Sequence, residues 1–150
     1  MGWWGSWGRR KGIGEPPDYY REGLKLADQE KYHEALTSFR LALRRTPDDP
    51  EIMQQMAVVY TQIGMTEEAI KFYQAAIETE AHAPAAHYGL AFLLVHRGDL
   101  VNARAHLEAF LANPPAAAEA EAHVAHARKT LDEMDTGDGP EFEQRPRGEV

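Results

Sequence analysis

Seven histidines are the side chains of this 150-residue sequence best suited to chemistry. His123 and His126 share a helical face with Glu119, a spacing at which two imidazoles and a carboxylate can approach a divalent cation. His82 and His87 form a second close pair. Neither group has a third imidazole or a thiolate at ligand spacing. The chain has no cysteine, which excludes disulfides, thiolate metal sites and cysteine nucleophiles. Arg97-Gly98-Asp99 spells a cell-adhesion tripeptide but falls where a turn between helices is needed. There is no glycine-rich phosphate loop, nucleophile elbow or paired catalytic carboxylate. The reading is therefore of a protein that is not an enzyme, with no catalytic residue, metal or cofactor. His96 is kept as a contact that would respond to pH.

The elements that position these residues follow from a repeat. Pro16, Pro50 and Pro84 lie 34 residues apart, and Ala35, Ala69 and Ala103 keep the same interval. Gly23, Ala57 and Ala91 fall in register, as do Leu26, Tyr60 and Leu94, then Phe39, Tyr73 and Leu107. Within each unit the apolar residues recur at helical three- and four-residue steps, for example Met53, Met56, Ala57 and Tyr60. Gly64 and Gly98 interrupt the pattern where one helix must end. Each proline opens a helix, where its fixed φ helps and its missing N–H costs nothing. Each unit is thus two antiparallel helices, and the small residues let their backbones approach closely.

These positions resemble the tetratricopeptide repeat (TPR) family. Its A-x3-F element appears as Ala35-x3-Phe39, Ala69-x3-Tyr73 and Ala103-x3-Leu107. The family's tryptophan position holds Tyr19, Met53 and His87, and its closing proline is kept at Pro47 and Pro115 but replaced by Ala81. The resemblance covers Pro16 to about Pro115. It implies an all-α fold: a right-handed superhelix of antiparallel helix pairs, about seven helices, with disordered termini. The expected helices are 17–29, 32–45, 50–63, 66–79, 84–97, 100–112 and 116–134. Residues 1–15 read as a flexible Trp/basic segment, and 16–115 as three repeats (16–49, 50–83 and 84–117 by period). Residues 116–134 read as a capping helix and 135–150 as a disordered polar tail. The cap's buried stripe would be Ala120, Val124, Ala127 and Leu131, with Glu121, Arg128, Asp132 and Glu133 on its wet side. Phe110, where earlier units have Ala42 and Ala76, would find room against this alanine-rich helix.

In the family, the face of each first helix turned away from its partner lines a concave groove for a peptide or helix. Here that face contains Tyr20 and Leu24, then Gln54, Val58, Thr61 and Gln62, then Tyr88, Phe92, Val95 and His96. It carries no lysine or arginine, unlike the family members that grip a carboxylate terminus. An apolar groove suits a hydrophobic helix or extended segment of a partner protein. The competing reading is internal packing, with the cap helix covering these side chains.

The formal charge is −8. Arg9, Arg10 and Lys11 against Glu15 make residues 1–15 net +2, so the remainder carries −10. An acidic body argues against nucleic-acid binding. Trp3, Trp4 and Trp7 beside Arg9, Arg10 and Lys11 suit a membrane surface or a second partner, with docking onto the protein's own groove as the alternative. No apolar run reaches membrane-span length, and the start lacks a signal-peptide stretch, so a cytoplasmic location is expected, with membrane association at the inner face through residues 1–12. The leading function is a scaffold or adaptor within a multiprotein assembly. A chaperone of hydrophobic secretion substrates, similar to the three-TPR type III secretion class, is the second. A membrane-peripheral accessory subunit is the third. Pairing of exposed repeat ends into a homodimer is left open.

Overall fold

The structure, a computed structural model, describes residues 17–137. Residues 1–16, with Pro16 and the tryptophan and basic residues, and residues 138–150 lie outside the described residues, so the readings placed on them stay as sequence expectations. Seven helices and no strand are found among the described residues. They are α1 (Tyr19–Asp28), α2 (Tyr32–Arg45), α3 (Pro50–Gln62), α4 (Thr66–Thr79), α5 (Pro84–Arg97), α6 (Leu100–Ala112) and α7 (Ala120–Thr136).

The chain divides into two compact units at Pro47. This boundary falls inside Thr46-Pro47-Asp48-Asp49-Pro50, the junction between the first two periods. The first unit is the α1–α2 hairpin. Its core is Ala35, Leu36, Phe39 and Ala42. Gly23 is needed here for space: a Cβ at this position would lie 2.6 Å from the Phe39 ring. Arg45 reaches back, donating to the Pro17 carbonyl and placing its guanidinium 4.5 Å from the centre of the Tyr19 ring.

In the second unit α3 pairs with α4 and α5 with α6, while α4 also packs on α5 and α7 on α6. Ala57, Ala69, Ala76, Leu90, Ala91, Ala103 and Leu107 are completely shielded from solvent. The helix starts are set by local chemistry. Asp18, Asp49 and Asp99 accept backbone N–H groups of the first turn, and Pro50 and Pro84 occupy the first helical turn. The first helices end alike. Residues 30, 64 and 98, one period apart, all have left-handed φ (60°, 77° and 92°). In each case two hydrogen bonds close the end, such as Gly64 N–H to Thr61 O and Met65 N–H to Tyr60 O. The first repeat makes this turn with Glu30 in place of glycine.

The last helix departs from the expected 116–134. Ala117 and Ala118 form a turn whose carbonyls accept from Ala120 and Glu121, and the helix begins only at Ala120. Pro114-Pro115 precedes this stretch, and no side-chain cap marks the start. At the other end the helix runs past Met134, so Asp135 and Thr136 are helical rather than part of a tail. Arg104 of α6 holds the Asp135 carboxylate at 2.7 Å, and Gly137 closes the end in the left-handed conformation, donating to Glu133 O. On α7, Ala120 and Ala127 are buried as expected, and Val124 and Leu131 are half-buried. Thr130, unanticipated, is buried, its hydroxyl spent on the His126 carbonyl at 2.8 Å. Glu133 is half-buried beside Lys129 instead of on the wet side.

Candidate functional site

A cavity of about 460 Å³ opens on the second unit, lined by residues of α3, α4 and α5. Thr61, Phe92 and His96, three of the expected groove residues, lie on it. Tyr73, Gly89 and Leu93 complete its apolar wall. Tyr73 is only 5% exposed. Burial pushes its phenol up from the ordinary value, and a hydrogen bond with the Thr61 side chain partly offsets this. The ring lies against α5 because residue 89 has no side chain: a Cβ there would meet Tyr73 Cζ and Oη at 2.5 Å. Gly89 has no small counterpart in the other repeats, where Arg21 and Gln55 occupy its register. Val58 on α3 is 41% exposed and stands with exposed Thr61 and Gln62 and half-buried Gln54.

The remaining expected residues divide. Val95 is 3% exposed, a core side chain of the α5 interface, and is withdrawn from the groove. Tyr88 and Phe92 are half-buried, because α7 lies over them. The Phe92 ring stacks on His126 at 4.4 Å between centroids and 6° between planes. Tyr88 meets His123 edge-on at 4.8 Å and shares a 2.8 Å hydrogen bond between its hydroxyl and His126 Nδ1. Phe110 packs 5.1 Å from Tyr88, with Ala127 in the same cluster. The alanines of α7 therefore make the room that Phe110 requires. His123 and His126 are engaged with aromatic rings, and among the described residues no group of three or more metal-ligating side chains converges. In the first unit, Tyr20 and Leu24 are half-buried, and the Tyr20 ring tilts against Phe39 at 6.0 Å.

A second histidine pair was not legible as a pair from the sequence. His87 on α5 and His106 on α6 approach at 2.9 Å between their Nδ1 atoms, and His87 Nε2 reaches the Ala81 carbonyl at 3.0 Å. They are 19 residues apart, so only the hairpin brings them together.

Repeated helix hairpins, with an open cavity on the second unit, define a helical-repeat protein. The chain belongs to the tetratricopeptide repeat family, whose sequence profile matches residues 26–78 and 64–128. Photosystem I assembly protein Ycf3 of Synechococcus sp. (strain CC9605) is 35% identical over 69 residues, 44% of this chain and 40% of that protein. The chain thus spans less than half the length of the curated relatives it matches. Among solved structures, the Yersinia enterocolitica type III secretion chaperone SycD, in complex with a peptide of the translocator YopD, superposes with a TM-score of 0.73. The identity is 16%, over 79% of this chain and 90% of that one. The Sgt2 TPR domain from Aspergillus fumigatus gives 0.67 at 17% identity, over 88% and 85%. At these identities the structural likeness establishes the fold.

Proposed function

We propose that this protein is a non-catalytic adaptor that holds a hydrophobic helix or extended segment of a partner protein, serving the assembly of a multiprotein complex. The carrying observation is the open cavity of Thr61, Tyr73, Gly89, Phe92, Leu93 and His96, with exposed Val58 on the neighbouring helix. It is large enough for one bulky apolar side chain, and a few polar groups at its edge would orient the segment. The sequence likeness to a photosystem I assembly protein supports an assembly role. Tyr88 forms the seat of α7, so a ligand meets chiefly the α3–α5 part of the expected groove.

A photo-crosslinking residue at Val58 or Thr61, compared with one at exposed Lys71 on α4, tests the reading in the native host. The expected result is a discrete adduct from positions 58 and 61 that Val58→Asp abolishes while helix content stays unchanged. Equal labelling from position 71, or adducts indifferent to Val58→Asp, would overturn it.

The Trp3, Trp4, Trp7, Arg9, Arg10, Lys11 cluster supports a second attachment point, to a membrane surface or another protein. Flotation with anionic liposomes, lost on deletion of residues 1–12, would support the membrane alternative. No described helix is long and apolar enough to cross a membrane.

A further inference from the structure

We infer that the His87–His106 contact is an acid-sensitive clasp built into the third repeat, joining α5 to α6 only while a single hydrogen lies between the two Nδ1 atoms. The geometry fixes the roles. The Ala81 carbonyl can only accept, so His87 Nε2 carries the hydrogen it donates there, at 3.0 Å. Neutral His87 then accepts at Nδ1, and His106 Nδ1–H is the donor across 2.9 Å. One added proton still leaves a single hydrogen between the two nitrogens; once both rings are charged, two N–H groups point at each other and the bond is lost.

The repeats supply an internal comparison. One period earlier, the positions of His87 and His106 hold Met53 and Phe72. Both residues are apolar: Met53 is buried, and Phe72 stacks on Tyr60 at 5.5 Å. The first repeat has Tyr19 and Ser38 there, and the third alone has two histidines, with His87 buried. A cavity of about 280 Å³, bounded by Ala81, His82, Pro84, His87 and Asn113 among others, opens beside the His87 ring.

The surrounding charges do not cancel the effect. Burial lowers the affinity of His106 for a proton, His87 lowers it further, and Asp99 at the start of α6 acts the other way as the smallest of the three. His82 shares the cavity with His87. From α4, Tyr73 faces Gly89 and Glu67 pairs with Arg97. From α7, His123 and His126 face Tyr88, and Asp135 pairs with Arg104. What the fold disfavours is therefore the doubly charged pair, and the stability this contributes is present above the unfolded histidine value, about pH 6.5, and lost as pH falls below it and the second proton is forced on.

The test is denaturant unfolding of the full chain between pH 7.5 and 5, beside the double variant His87→Met/His106→Phe, which copies the second repeat. For each proton excluded, the unfolding constant of the natural chain should rise by up to about tenfold per pH unit below 6.5, less whatever solvent screening at half-exposed His106 removes. The double variant should lose that component. Parallel pH dependence in the two proteins would overturn the clasp. Should the variant not fold, imidazole nitrogen shifts of the natural chain decide: His106 must carry its neutral-pH hydrogen on Nδ1 and His87 on Nε2. The opposite tautomers, or both rings titrating as free histidines, would refute it.

Discussion

Replacing Gly89 with alanine separates two opposing effects on α5. In a helix interior the change should stabilise by about 0.5–1 kcal/mol, since alanine loses less backbone freedom on folding. Here the new Cβ would sit 2.5 Å from Tyr73 Cζ and Oη and 2.9 Å from Cε1, far inside contact distance. The Tyr73 ring is stiff and buried, and its hydroxyl is held by Thr61, so it cannot swing aside freely. Overpacking of this kind costs about 1–3 kcal/mol. The expected net effect is a loss of about 1 kcal/mol, seen as a thermal midpoint lower by about 2–4 °C. Chemical denaturation of Gly89→Ala, Tyr73→Leu and the double variant completes the measurement. Tyr73→Leu alone should destabilise, but adding Gly89→Ala to it should restore the gain. If Gly89→Ala stabilises the natural chain, or still costs stability in the Tyr73→Leu background, the close approach of Tyr73 to α5 is wrong.

The left-handed turns give a second, paired prediction. Glu30→Gly should stabilise by about 0.5–1 kcal/mol, because a side chain at positive φ costs about 1–2 kcal/mol and glycine returns part of that as unfolded-state entropy. Gly64→Ala should lose about 1 kcal/mol by backbone strain alone, since a Cβ there meets no atom within 4 Å; both follow from equilibrium unfolding curves. Asp99 supplies a pH test at the acid end. Its hydrogen bonds from the Asn102 side chain and backbone hold its carboxyl below the usual range. Its capping contribution should therefore be intact above about pH 4 and fade as pH falls further, and Asp99→Asn should flatten that limb of the stability profile.

The 34-residue recurrence of prolines, alanines and helix-ending glycines was enough to place six of the seven helices within two residues. Helix starts and ends are local: an aspartate accepting first-turn N–H groups, a proline in that turn, a left-handed residue closing the end. The same recurrence separated core from surface on most first helices, because residues facing the hairpin partner must be small or apolar. It failed at Glu30, which makes the turn without glycine, and at α7, which lies outside the repeat and starts after a two-proline break without a cap.

What residues 17–137 decide only in three dimensions concerns pairs distant in sequence. The alanines of α7 announced room for Phe110, but the covering of Tyr88 and Phe92 by His123 and His126 depends on how α7 lies on the preceding hairpin. The burial of Val95 likewise depends on the neighbouring helix, since on the wheel of α5 alone it faces away from the core. Tyr73 enters the cavity wall because Gly89, 16 residues on, leaves a gap. His87 and His106 become a hydrogen-bonded pair because a hairpin folds them together. Local propensity determines the helices, while the cavity and the histidine clasp arise from contacts that no single helix contains.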